Sequence, residues 1–215
     1  MAQRPKEPMR RAIIDAAARE FADVGFDGAA LTTIAARART SIGNLYKYFS
    51  SKNELFSAAI PDQVVRDLGS LLRRRMQAVG RERDVRQLGP GHPYHLASDE
   101  LLRFALAHRQ QILFLLRRAE GTPYASTVGK IVQRLTSLAV DYGRRAYRRA
   151  AMNAPRRRAL VRVYRALVAS IASILAEETS ERALREATGH LTIYHLAGLR
   201  AFFEEAERAS GKDHP

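Results

Sequence analysis

Apolar residues recur at spacings of three and four along almost the whole chain, and no apolar–polar alternation of the strand kind survives more than a few residues. That periodicity restricts the chain to helices packed on helices, and the abundant Ala, Leu, Arg and Glu are good helix formers. With 215 residues, against a typical ~150 per domain, there is enough chain for one or two domains and at least one real core. Cysteine is absent, which removes disulfides, thiolate zinc sites, iron–sulfur clusters and cysteine nucleophiles together, so packing alone must hold the fold. The predicted fold class is all-α.

The pattern predicts a helix over residues 8–24, with Ile14, Ala17, Phe21 and Val24 on one face and Gly25 placed to end it in a left-handed conformation. A second helix is read over 31–38, a break at Arg39, Thr40 and Ser41, and a third helix over 42–48 that Ser41 can cap. Ser51 and Glu54 form a capping box that opens a fourth helix, which Pro61 interrupts or kinks. Periodicity resumes over 62–79. Residues 80–97, with Gly89, Pro90, Gly91 and Pro93, read as loop, and Ser98, Asp99 and Glu100 read as a helix start. Later helices are expected over 98–107, 109–118, 122–150, 156–178 and 181–209, followed by a polar tail from Ser210.

Basic residues outnumber acidic ones by 36 to 22, a net charge of +14, which points to a polyanionic partner such as nucleic acid. The excess is spread over both sides of Lys52, so it is not one basic arm. Arg4, Lys6, Arg10 and Arg11 read either as a DNA-binding arm or as a solvated tail. The longest run free of charged residues, 187–199, falls short of the ~18 apolar residues of a membrane span, and the first eleven residues hold no apolar stretch of the signal-peptide kind. The expectation is a soluble, cytoplasmic protein that spans no membrane.

The most informative segment runs from Leu31 to Lys52. Two short helices joined by a three-residue turn fit a helix-turn-helix, whose second helix enters the DNA major groove with its N-terminal residues toward base edges. On that helix Gly43 leaves room for close approach, Asn44 can donate and accept at once toward adenine, and Tyr46, Lys47 and Tyr48 place donors around the rim. Leu45 and Phe49 face inward as anchors. Lys52 begins the next helix, a phosphate position.

The run Ser41-Ile42-Gly43-Asn44-Leu45-Tyr46-Lys47-Tyr48-Phe49, with Ser51-Lys52 after it and Ile34-Ala35 before it, resembles the signature of the TetR family of transcriptional repressors; the likeness covers about residues 10–56. The resemblance implies an all-helical homodimer that binds a palindromic operator and releases it when a small ligand enters the C-terminal domain. It places DNA contacts on Thr32, Thr33, Ile42, Gly43, Asn44, Tyr46, Lys47, Tyr48 and Lys52. Two positions depart from the family pattern. Ala30 stands where a capping threonine is usual, and Arg39 where the turn often has glycine, at a cost of about 1 kcal/mol if that residue is left-handed.

His92 and His95 lie in a Gly/Pro-rich stretch, and His190 and His195 sit about 140° apart on a helix, so neither pair shares a face with a third ligand and no metal site is expected. No nucleophile elbow, phosphate loop or zinc-helix motif occurs, so no catalytic residue is assigned and no cofactor is called for. The clusters Arg73 to Arg75, Arg144-Arg145, Arg148-Arg149 and Arg156 to Arg158 read as solvated helix surface, or in part as binders of an anion. Phe104, Phe114, Tyr124, Tyr142, Tyr147 and Tyr164 are placed on central helices, mostly as core. Of these, Phe104, Phe114, Tyr124, Tyr142 and Tyr164 are the candidates to line a ligand cavity. Apolar stripes on the last two helices, with Leu160, Val163, Leu167, Ile171, Leu191, Tyr194, Gly198 and Phe202, ask for a second copy and a four-helix seam.

The expected organisation is a DNA-binding head over 1–52 and a ligand-binding and dimerisation body over 53–215. The expected function is a ligand-responsive, sequence-specific repressor acting as a homodimer on double-stranded operator DNA. Its effector is an unidentified small molecule, with the arginine excess favouring an anionic, partly apolar compound. The rival readings are an activator or ligand-independent DNA-binding regulator, and a helical enzyme with a vestigial head.

Overall fold

The computed structural model describes residues 6–84, 88–89, 91–147 and 149–212. Arg4, Pro90 and Arg148, singled out above, lie outside them. The chain is all-α, and no strand occurs among the described residues. The helices are α1 Lys6–Gly28, α2 Leu31–Arg37, α3 Ile42–Leu45, α4 Lys52–Ala59, α5 Asp62–Ala78, α6 Pro93–Ala107, α7 Arg109–Arg117, α8 Thr127–Ala146, α9 Ala154–Glu177 and α10 Glu181–Lys212.

Two compact units emerge. The first holds residues 1–66 and 108–127, the second 67–107 and 128–215. In the first, α1 packs on α2, α4 and α7. Its core is Ile13, Ala17, Phe21, Ile34, Leu45, Phe49, Leu55 and Phe114. Phe56 is its hub, with ring centroids 5.1 Å from Phe21, 4.9 Å from Phe26, 5.3 Å from Phe114 and 6.0 Å from Tyr124. Gly25 takes the left-handed φ of 80° expected of it, and the helix bends there before resuming to Gly28. Val24 does not join the buried face: it is 47% exposed, and the stripe runs through Ile13, Ala16, Ala17 and Phe21 instead.

In the second unit α9 and α10 pack together. The buried stripe of α9 is Leu160, Tyr164, Val168, Ala172 and Leu175, which leaves Val163, Leu167 and Ile171 on a second, partly open face. Leu160 is fully buried within its own chain, so it is not the surface residue expected above. Helix α9 is long and apolar enough to suit a membrane span by length and composition alone. Arg162 and Arg165 stand exposed along it, and its buried stripe belongs to the core of this unit. Gly143 of α8 is required by contact, since a methyl group there would overlap the Phe203 ring of α10.

Several expected boundaries move. Helix α6 starts at Pro93, five residues before Ser98. Proline suits a first helical turn, whose N–H has no partner anyway, and Ser98 is interior, its hydroxyl donating to the Tyr94 carbonyl at 2.7 Å. Residues 122–126 are turns, so Tyr124 is not helical, and α8 ends at Ala146. Helix α10 continues through Ser210 to Lys212 in place of a tail.

Candidate nucleic-acid interface

Helix α2 begins without a side-chain cap, because Ala30 has no hydroxyl to offer. It ends in a Schellman turn. The Thr40 N–H donates to the Ala35 carbonyl and the Arg39 N–H to the Ala36 carbonyl, both at 3.0 Å, with Arg39 left-handed at φ 53°. The glycine-type turn is thus kept with arginine in it. Ser41 then caps α3, its Oγ accepting from the Asn44 N–H at 3.1 Å. Regular α3 stops at Leu45, shorter than expected, and the chain continues in turns through Tyr48, with Leu45 and Phe49 buried beneath. Ser51 caps α4 by accepting from the Glu54 N–H at 3.1 Å. Glu54 reaches back one residue farther than a capping box requires, accepting from the Ser50 N–H at 2.7 Å and the Ser50 hydroxyl at 2.6 Å. Those two bonds, the hydroxyl's first, hold the Glu54 carboxyl below its ordinary pKa.

The first unit brings the expected DNA-contacting residues together on the turn and its flanking helices. Ile42 and Tyr46 are 41% and 51% exposed, although both are large and apolar or aromatic. Thr32, Gly43 and Lys47 are exposed, while Thr33, Asn44 and Tyr48 are half-buried. Gly43 has open space around the position a Cβ would take, so nothing in this chain blocks close approach. Asn44 is oriented by its Nδ2, which donates to Thr40 Oγ1 at 2.8 Å. Its side-chain oxygen and second amide hydrogen form a donor–acceptor pair of the kind that matches an adenine edge. The Lys52 Nζ lies 4.8 Å from the Phe26 ring centroid and donates to the Asp27 carbonyl at 3.3 Å, which tethers the ammonium beside the end of α1.

Sequence reasoning missed two supports. Arg37, in the last turn of α2, pairs with buried Glu20 at 3.3 Å and with Asp23 at 2.9 Å, tying α2 to α1. The helical spacing of Glu20 and Asp23 was the available signal. Arg10 is the other: its guanidinium lies 5.3 Å from the Phe49 ring centroid, and Arg11 pairs with Glu7 at 3.6 Å. Both arginines are helical, since α1 already begins at Lys6, so neither belongs to a free arm.

The expected cavity aromatics are divided between the units. Phe114 is fully buried against Phe56. The Tyr124 hydroxyl donates its one proton to Asp62 Oδ1 at 2.6 Å, with the Ile60 carbonyl a second acceptor at 3.0 Å, and burial followed by the Asp62 bond pushes its pKa up to about 12. In the second unit the Tyr142 hydroxyl donates to the Glu82 carbonyl at 2.7 Å. Phe104 is half-buried, and Tyr164 is buried. Of the histidines, His190 is exposed and His195 is packed edge-on against Tyr164. Among the described residues no group of three or more His, Asp or Glu is placed to hold a metal.

A cap, a left-handed turn and a second helix that carries a half-buried amide and runs into a turn with an exposed aromatic and lysine define a helix-turn-helix DNA-binding domain. Residues 13–59 match the family model of the bacterial regulatory proteins of the tetR family, and this N-terminal domain belongs to that family. The fold of the chain is similar to that of a TetR-like transcriptional regulator from Rhodococcus sp. RHA1, with a TM-score of 0.50 and 23% identity over 94% of this chain and 96% of that one. A tetR-family transcriptional regulator from Streptomyces coelicolor aligns over 98% of this chain and 91% of its own, at 18% identity and a TM-score of 0.45. No curated protein matches the chain significantly. The protein is a DNA-binding transcriptional regulator.

Proposed function

We propose that the protein is a ligand-responsive repressor, acting in the cytoplasm as a homodimer on a palindromic operator, and that it works by binding rather than catalysis. The observation that carries the DNA-reading part is the exposed surface of α3 and its following turn, where Ile42, Gly43, Tyr46 and Lys47 face outward above buried Leu45 and Phe49. In this reading Asn44 reads a base edge, while Thr32, Thr33, Tyr46, Lys47, Tyr48 and Lys52 position the duplex. Residues 1–52 supply the DNA contacts and 53–215 the effector site and the dimer seam. Support for the seam comes from the outer faces of α9 and α10. Tyr194 is 80% and Ile193 55% exposed, Val163 is open on α9, and Gly198 has no neighbour where a Cβ would stand. A second copy set against these faces would bury Val163, Leu167, Ile171, Leu191, Tyr194 and Phe202 around Gly198.

Selection of bound duplexes from a random DNA pool tests the reading and returns the operator. The expected product is an inverted repeat with half-sites about one helical turn apart, or somewhat farther if the duplex is distorted. Footprints with and without metabolite extract then separate a ligand-responsive regulator from a constitutive one. Recovery of no enriched sequence would overturn the proposal.

A further inference from the structure

In the second unit the Tyr164 side chain is 1% exposed, and its hydroxyl is, among the described residues, the buried side-chain polar atom with no hydrogen-bond partner. A buried hydroxyl without a partner is costly, and native interiors rarely keep one without a use for it. His195 of α10 stands edge-on to the Tyr164 ring, with centroids 5.2 Å apart. The positive charge of Arg75, on α5, acts on both groups. Burial, with that charge added, pushes the His195 pKa down to about 4, so its imidazole is uncharged at neutral pH.

Arg75 is half-buried and engaged with neutral groups. Its Nε donates to Ser98 Oγ at 2.9 Å, its Nη2 donates to the Tyr94 hydroxyl, and its guanidinium carbon lies 4.8 Å from the Tyr94 ring centroid. The carboxylates beside Ser98 are committed elsewhere, Asp99 to Arg185 and Glu100 to Arg74. A guanidinium carries five N–H donors, and these bonds use two. Helices α5, α6, α9 and α10 thus supply a cation with donors to spare, a phenol O–H with no acceptor and a neutral imidazole, with the Tyr94 ring against the guanidinium and the Tyr164 ring against the imidazole. What the cluster lacks is an anion.

We propose that this cluster binds the carboxylate of the effector, which accepts from the Tyr164 hydroxyl and from the free N–H groups of Arg75, while the apolar remainder of the effector lies among the surrounding side chains. The assignment rests on the ligand-responsive reading above and names the chemical class for it. A single guanidinium next to an uncharged histidine suits a monoanion; a phosphate dianion would call for a second cation.

The test uses decanoate and phenylacetate beside their neutral amides, decanamide and phenylacetamide, in thermal-shift and calorimetric titrations of the full chain. Either acid is expected to raise Tm and its amide to leave Tm unchanged. Arg75→Gln is expected to weaken acid binding about tenfold to a hundredfold, the range of one charged hydrogen-bonding partner. Tyr164→Phe is expected to weaken it several-fold while raising the Tm of the free protein, because it deletes an unpaired hydroxyl; a tyrosine with a purely structural role would lower it. No response to either acid, equal response to acid and amide, or unchanged acid binding in both variants would overturn the site. The broader reading fails separately. Extract that releases DNA from a protein indifferent to both acids would keep the ligand response and remove this site. Arg75-dependent acid binding by a protein that binds no DNA would support the site and remove the regulator.

Discussion

The helix-turn-helix and the second unit differ in how far along the chain the polar contacts that shape them reach. In the caps and turn of the helix-turn-helix, bonds close over three to five residues: Ser41 to Asn44, Ser51 to Glu54, Glu54 to Ser50, and the Schellman pair around Arg39. In the second, Arg83 holds Glu207 across 124 residues, Arg200 holds Asp84 across 116, and Arg185 holds Asp99 across 86. Local bonds specify a turn within a few positions, so the same residue types in the same order make the same shape. Distant bonds exist only once the chain has folded, so no short stretch of sequence announces them.

Breaking the first unit where it is not local should give the largest effect. Phe56 draws in Phe114 and Tyr124 from far along the chain, and Phe56→Ala is expected to cost about 3–5 kcal/mol in urea unfolding. A loss below about 1 kcal/mol would mean that caps and turns suffice for this unit. The second unit should show its half-buried histidine, His195, on acidification. The folded pKa of His195 is about 4 against 6.5 unfolded, so between those values the unfolded chain takes up a proton that the folded chain refuses. Stability present above pH 6.5 is therefore lost as pH falls toward 4, by up to about 3 kcal/mol at 1.36 kcal/mol per unit. His195→Gln should flatten that part of the stability–pH curve.

Arg83 sharpens the contrast at a smaller scale. It donates to the Ala146 carbonyl at 2.8 Å, pairs with both Glu207 oxygens and lies 4.5 Å from the Tyr147 ring centroid. Arg83→Ala should cost about 1–2 kcal/mol, since the ion pair is partly exposed but the other two contacts add to it. Smallest are two gains in the first unit, read by thermal unfolding. Arg39→Gly should relieve about 1 kcal/mol of left-handed strain, and Ala30→Ser should add about 1 kcal/mol by capping α2.

The legibility of the sequence followed the same division. Ser41, Ser51, Gly25 and the helix-turn-helix could be read because caps and left-handed turns depend on neighbours in the chain. The start of α6 was misread, since Pro93 and Ser98 are both helix-start residues and only packing chose between them. Tyr164 stood out merely as one aromatic among several; its unpaired hydroxyl appears only when α9 is packed and every neighbouring group has been assigned. Leu160 parts from Val163 for a related reason. Both lie on apolar stripes of α9, and the stripe through Tyr164 is the one the chain buries for itself.

The central claim is that α3 reads sequence through Asn44 while Lys52 holds the backbone. Affinities of wild type, Asn44→Ala and Lys52→Ala for the selected duplex and a scrambled one, each titrated over several salt concentrations, test it directly. Asn44→Ala should lose about 1–3 kcal/mol on the selected duplex and little on the scrambled one, with the salt slope unchanged; Lys52→Ala should weaken both alike and lower the slope by about one. Equal loss on both duplexes for Asn44→Ala would contradict the claim.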